Sequence, residues 1–121
     1  MVQKTRYDLE ARTLLFANSV RDFVRTIPAS PLVTDDIRQL LRASGSVGAN
    51  YIEANDCLGK KDFRMRIKIC RKEAKESRYW LHLIQTDGKL QEERKRLIDE
   101  STQLMSIFGA ILRNTDPKYK S

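Results

Sequence analysis

The 121-residue sequence predicts an all-α protein folded as an antiparallel up-and-down four-helix bundle. Two observations support this prediction: apolar residues recur every three or four positions in four long segments, and proline or glycine interrupts the chain between those segments. No segment shows the alternation with a period of two that is typical of a β-strand. Because short connections force consecutive helices to run antiparallel, the pattern predicts one bundle domain spanning residues 1–121.

The first predicted helix covers about residues 8–26 and the second about residues 34–56. Asp8 and Thr34 are the expected N-caps, since their side-chain oxygens can accept hydrogen bonds from free amides. Pro28 and Pro31 separate the two helices. The apolar face of the first helix consists of Leu9, Phe16, Val20, Phe23 and Ile27. The expected buried face of the second consists of Ile37, Leu40, Leu41, Ser44, Val47, Gly48, Tyr51 and Ile52.

Two glycines, Gly45 and Gly48, interrupt the second helix, and each destabilises it by about 1 kcal/mol relative to alanine. This cost indicates that a neighbouring helix approaches the backbone closely there. The third helix is predicted at about residues 62–86, with Asp62 as its cap, and the fourth at about residues 89–113. Their expected core positions are Phe63, Ile67, Cys70, Ala74, Ser77, Leu81 and Ile84, and then Leu90, Leu97, Ser101, Leu104, Phe108, Ile111 and Leu112.

The composition is basic, with 23 Lys and Arg against 16 Asp and Glu, which gives a net charge of +7. Such an excess favours a polyanionic partner, either nucleic acid or an anionic membrane surface. The N-terminus lacks the apolar stretch of a signal peptide, and no segment is long and apolar enough to span a bilayer. We therefore expect a soluble cytoplasmic protein in which Cys57 and Cys70 are reduced thiols.

The third predicted helix carries a narrow row of cations beside its core face. This cationic stripe consists of Arg64, Lys68, Arg71, Lys75 and Arg78. Like charges three or four positions apart destabilise an isolated helix, so the stripe is interpreted as a set of phosphate ligands for nucleic acid. The alternative is a solvated face whose charge is relieved by acids of a neighbouring helix, such as Asp99 or Glu100.

The side of the third helix opposite the core is also apolar, as it would be in an oligomer. This outer apolar row consists of Met65, Ile69, Trp80 and Leu83. A helix with two apolar faces needs two partners, so the row predicts an interface between copies of the chain. The alternative is that Trp80 covers the end of the bundle and that the other three are singly exposed.

The sequence predicts no catalytic, cofactor or metal site. His82 is the single histidine and the cysteines form no paired ligand motif, so neither a zinc site nor a di-iron bundle is expected. Neither cysteine has a histidine nearby in the sequence that could activate it as a nucleophile. The run Gly45-Ser-Val-Gly follows no strand and precedes no Gly-Lys-Ser/Thr, so it resembles a phosphate-binding loop only superficially and is better explained by helix packing. We expect a protein that is not an enzyme and has no small-molecule substrate.

The run Arg42-Ala-Ser-Gly-Ser-Val-Gly-Ala-Asn-Tyr-Ile-Glu-Ala, followed by Lys60-Lys-Asp-Phe and Lys72-Glu-Ala-Lys-Glu-Ser-Arg-Tyr-Trp-Leu, resembles a bacterial family. These are the four-helix bundle proteins encoded in intervening sequences of 23S ribosomal RNA. The resemblance extends from the first helix to the fourth and implies a ring-like homopentamer. A departure is Ala54, where the family usually has glycine, which would displace the turn toward Gly59.

The family is similar in fold to the accessory variability protein of diversity-generating retroelements, which is pentameric, basic and associated with nucleic acid and a reverse transcriptase. The leading hypothesis is therefore a non-enzymatic oligomeric protein that binds RNA or DNA, with structured or ribosomal RNA as a candidate. The alternative is a protein-interaction scaffold that recruits a nucleic-acid enzyme such as a reverse transcriptase. On either hypothesis, Asn50, Glu53, Glu73 and Glu76 are expected to make structural polar contacts.

Overall fold

The computed structural model describes the backbone of residues 2–116 and the side chains of residues 8–116. This part of the chain forms four α-helices and no strand, namely α1 (Val2–Arg25), α2 (Pro31–Asn55), α3 (Lys60–Leu83) and α4 (Gly88–Thr115). The all-α fold class and the four helices are confirmed. Residue 1 and residues 117–121 of the expected domain lie outside the described residues.

The expected caps of α1 and α3 are wrong. Asp8 lies inside α1, which extends back to Val2. Asp62 lies in the first turn of α3, two positions after the helix begins, and Gly59 takes the cap position with extended backbone. A carboxylate in a first turn is stabilised by the positive end of the helix dipole without being the cap. The sequence preference for acids near a helix start therefore does not identify the starting residue.

The start of α2 also lies earlier than expected. Ser30, not Thr34, is the N-cap, and its hydroxyl oxygen accepts a hydrogen bond from the Val33 amide at 3.3 Å. Pro31 occupies the first helical position, where its fixed φ suits the helix and its missing amide leaves no donor unpaired. Thr34 lies within the first turn, and its hydroxyl donates to the Ser30 carbonyl at 2.7 Å.

The four helices pack as a closed antiparallel cycle. The links at residues 26–30, 56–59 and 84–87 are short, so each helix reverses the direction of the one before it. Each consecutive pair of helices is in contact, and α1 also contacts α4. The contacts of α3 with α2 and with α4 are the most extensive, which makes α3 the best-anchored helix of the bundle.

The core is built from the predicted apolar faces. Its largest fully buried side chains are aromatic and aliphatic: Phe16, Phe23, Phe108, Leu40, Ile67, Leu81, Ile84 and Leu104. Tyr51 packs against Phe108 with ring centroids 6.1 Å apart. Ile52 is an exception, since it is 49% exposed. It follows the buried Tyr51 directly and therefore lies about 100° around α2 from it, outside the core.

One of the two glycines of α2 marks a close approach between helices. A β-carbon at Gly48 would lie 2.9 Å from Thr13 Oγ1 and 3.2 Å from Thr13 Cβ, so α1 packs directly against the α2 backbone there. Thr13 is itself buried, and its hydroxyl donates to the Leu9 carbonyl at 2.8 Å. Gly45 faces open space. The predicted close approach is thus confirmed at Gly48 and is wrong at Gly45.

Candidate nucleic-acid interface

The cationic stripe of α3 runs along the side of the helix that faces α4, and its two end residues bind that helix. Arg64 Nη1 donates to the Leu112 carbonyl and, at 2.7 Å, to Thr115 Oγ1. The guanidinium thus lies at the C-terminal end of α4, where a positive charge is favoured by the helix dipole. At the other end, Arg78 Nη1 donates to Thr102 Oγ1 at 3.3 Å. These two arginines are half-buried and fix α3 against α4.

The three middle cations of the stripe are exposed to solvent. We call Lys68, Arg71 and Lys75 the free row, because none of them forms an ion pair or side-chain hydrogen bond with any residue that the structure describes. At a rise of 1.5 Å per residue, the row extends about 10 Å along the helix. The structure therefore separates the stripe into two anchoring arginines and three cations that are available to a ligand.

The acids that could have neutralised the stripe bind elsewhere. Glu100 faces α1 and accepts two hydrogen bonds from Arg12, at 2.7 Å from Nε and 2.8 Å from Nη2. The hydrogen bond with Glu100 raises the pKa of Arg12 despite partial desolvation. Asp99 Oδ2 accepts from Gln103 Nε2 at 2.8 Å. The positive charge of the free row is thus not relieved by either acid.

Helix α4 adds two cations to this side of the bundle. Thr102 faces α3, as its contact with Arg78 shows. Lys95 and Arg113 lie seven and eleven positions from Thr102, so both project within about 20° of its direction on the helix. Both side chains are exposed. Neither was predicted from the sequence, because their spacing becomes meaningful only once the side of α4 that faces α3 is known.

The opposite flank of α3 is joined to α2 by charged and amide side chains. Arg42 contacts both Oε atoms of the buried Glu73 at 3.4 Å and Glu76 Oε1 at 2.7 Å. Desolvation lowers the pKa of Arg42, but the two carboxylates outweigh it, and the net shift is upward. Arg66 Nη1 donates to Asn50 Oδ1 at 2.9 Å. Glu53, the fourth polar residue expected to have a structural role, is exposed.

The outer apolar row lies on the solvent side of α3, next to this charged flank. Met65 is 54% exposed and Leu83 is 43% exposed, whereas Ile69 and Trp80 are half-buried. Met65 and Ile69 line an open depression of about 390 Å³. Trp80 also packs against the core, and its indole Nε1 is buried without a hydrogen-bond partner among the described residues. The two end members of the row are thus exposed and the two middle members are half-buried.

Residues 8–116 contain two free cysteines, of which Cys57 is half-buried and Cys70 is buried. Cys70 is fully buried, and desolvation raises the pKa of its thiol to about 12, so it is a neutral core residue at physiological pH. Within this range, no three His, Cys, Asp or Glu side chains come together as metal ligands. No helix of the described chain is both long and apolar enough to cross a membrane.

Four antiparallel helices with a cationic side on α3 and α4 define a basic helical-bundle protein. Its sequence from residue 10 to residue 110 matches the family described as 23S rRNA-intervening sequence protein, and the chain belongs to that family. The resemblance inferred from the sequence is thus confirmed. The Ala54 departure does not end α2 early, since Ala54 is buried and the helix continues to Asn55.

A solved structure supports the same fold. The chain is 26% identical to a protein of unknown function from the S23 ribosomal protein family of Bacteroides thetaiotaomicron. The similarity covers 86% of this chain and 97% of that one, with a TM-score of 0.73. No protein with a curated function matches the chain significantly.

Proposed function

We propose that this protein is a non-enzymatic, ring-like homo-oligomer that binds nucleic acid through the α3–α4 side of each bundle. The observation that supports binding is the free row, because three neighbouring exposed cations with no acidic partner among the described residues repel one another, and a bound anion would relieve that repulsion. Phosphates are the matching ligands, since each Lys or Arg that contacts one releases a condensed counterion. Lys95 and Arg113 extend the same surface across α4.

The protein is proposed to contact the sugar–phosphate backbone of the nucleic acid. The free row offers amines and a guanidinium in a line about 10 Å long, a length of duplex axis along which each strand carries roughly three phosphates, at about 3.4 Å each. Contacts of this kind position a nucleic acid without distinguishing its bases. The family description refers to an intervening sequence of 23S rRNA, so structured or ribosomal RNA is the first ligand to test.

The outer apolar row supports the proposed oligomer. Burying the exposed surface of Met65 and Leu83 against a second copy would remove apolar area from water at about 25 cal/mol per Å². The family resemblance implies five copies, and five copies at +7 would carry about +35. A ring would present several free rows to one RNA molecule.

The first experiment is a fluorescence anisotropy titration of labelled ribosomal RNA fragments and duplex DNA at about 50 and 200 mM salt. The test variant changes Lys68, Arg71 and Lys75 to glutamine together. We expect weaker binding and a slope of log K against log salt that is smaller by about 2 to 3, since each lost phosphate contact removes roughly 0.7–0.9.

A matched control keeps the same net charge. Changing Arg25, Arg38 and Arg96 to glutamine also removes three positive charges, but these exposed arginines pair with acids three positions away in their own helices. We expect this variant to keep most of the affinity and slope. Equal losses of affinity in the free-row variant and the control variant would show that binding depends only on net charge. No binding by the intact protein at low salt would contradict the proposal and favour the protein-scaffold hypothesis.

A further inference from the structure

Tyr79 lies at the boundary between the free row and the outer apolar row on α3. Its side chain is 58% exposed. It follows Lys75 by four positions and precedes His82 by three, so both are its neighbours on the helix surface. Tyr79 and Trp80 form an edge-to-face pair, with ring centroids 5.2 Å apart and planes at 76°. The contact with Trp80 places an aromatic ring beside the cations, and the Tyr79 side chain remains exposed.

The charges around Tyr79 favour an anionic ligand. Long side chains on a helix lean toward its N-terminus, so Tyr79 leans over the turn that carries Lys75. Glu76 on the same turn is engaged by Arg42 at 2.7 Å and by Lys72 at 3.9 Å. A single exposed aromatic residue needs no special explanation. This one is distinguished by its contact with Trp80 and by its position at the end of a row of cations that have no acidic partner in the described part of the chain.

We infer that Tyr79 stacks on an unpaired base of a nucleic-acid strand whose phosphates lie along the free row. This inference rests on the proposed function and specifies its ligand as a single strand, loop or bulge. Bases inside a duplex are already stacked, whereas splayed bases stack on aromatic side chains regardless of sequence. Tyr79 lies about 6 Å beyond Lys75 along α3, so a strand that follows the row passes over the ring next.

The experiment compares three fluorescein-labelled ligands of equal length: a poly(dT) strand, an abasic strand with the same phosphates, and a duplex. We expect the intact protein to bind the poly(dT) strand about 5- to 150-fold more tightly than the abasic strand, the ratio expected for one stacked base. Tyr79→Phe keeps the ring and should keep the ratio. Tyr79→Leu removes the ring and should bring the ratio close to one, with the salt slope unchanged.

Emission from Trp80, the single tryptophan, provides a second readout. Binding of poly(dT) should change this emission and the abasic strand should not, because only a base reaches the ring that contacts the indole. Equal affinity of the intact protein for both strands would overturn the inference while leaving backbone binding intact. A Tyr79→Leu variant that keeps the ratio of affinities for poly(dT) and the abasic strand would also overturn it. So would a variant in which light scattering detects a changed subunit number and this ratio is unchanged. Failure to bind any of the three ligands and also the ribosomal RNA fragments would instead refute the proposed function.

Discussion

At the scale of single residues, the two carboxylates that bind Arg42 should differ in their effect on stability. The Glu73 side chain is 7% exposed and that of Glu76 is 36% exposed. Glu73→Gln leaves a buried amide against the guanidinium, so we expect the free energy of unfolding to fall by about 1–3 kcal/mol. Glu76→Gln should lower it by less than about 1 kcal/mol, since water screens that pair. Urea denaturation of both variants measures the difference, and equal shifts would contradict it.

Cys70 should make stability depend on alkaline pH. Desolvation raises the pKa of its thiol from 9.0 to about 12, so above pH 9 the unfolded chain loses this proton before the folded chain does. The folded protein then binds more protons, and stability falls as pH rises, by up to about 1.4 kcal/mol per pH unit between 9 and 12. Below pH 9 the contribution is fully present.

The measurement compares a Cys57→Ala protein with and without the further change Cys70→Ala, by urea denaturation at pH 7 and pH 10. Removing Cys57 prevents disulfide formation between the two thiols during unfolding. The stability advantage of the protein that keeps Cys70 should shrink by roughly 1 kcal/mol at the higher pH. An advantage that stays constant between the two pH values would show that the thiol is not desolvated.

At the scale of helices, the glycines of α2 form a matched pair. Gly45→Ala places its methyl group in open space and should raise the free energy of unfolding by up to about 1 kcal/mol through helix propensity. Gly48→Ala gains the same propensity but places a methyl group 2.9 Å from Thr13 Oγ1, so we expect a net loss of about 1–3 kcal/mol. A melting temperature that rises in Gly45→Ala and falls in Gly48→Ala would support the close packing of α1 on α2. A gain at both positions would contradict it.

The helical period predicted the core faces and the position of the cationic stripe, because both depend only on spacing within one helix. It did not predict which cations are free. Arg64 reaches the Leu112 carbonyl 48 positions away, and this contact depends on the axial alignment of α3 with α4. Lys95 and Arg113 were missed for the same reason. Ser30 was missed as a cap because Thr34 offers the same chemistry one turn later.

At the scale of the whole molecule, the positive charge is unevenly distributed. Several arginines are neutralised within the bundle, since Arg12 binds Glu100 and Arg42 binds two carboxylates. The net charge of +7 includes the free row, whose cations have no acidic partner within the described residues. If an anion binds there, as proposed, the contacts between helices can remain intact, since the cations that hold the helices together are different from those of the free row.

Oligomerisation and binding should be linked through the length of the nucleic acid. In a ring, a strand of about 60 nucleotides can contact several free rows, and such multivalency raises apparent affinity by roughly 10²–10⁴ without new contacts. Met65→Glu introduces a charge into the outer apolar row and should give monomers by light scattering. Because a glutamate at position 65 can pair with Lys68 three positions later, we expect binding of a strand of about 10 nucleotides to weaken by about 2-fold, whereas binding of the long strand weakens by about 100-fold.

The control for this prediction is Leu14→Glu, which adds the same charge at a leucine of α1 that is 63% exposed and outside the outer apolar row. It should leave both the subunit number and the length dependence unchanged. A Met65→Glu protein that loses affinity equally for long and short strands would show that residue 65 acts on the ligand directly and not through assembly. An intact protein that is monomeric would contradict the ring, and the free row would then act as a single site whose affinity depends on salt but hardly on strand length.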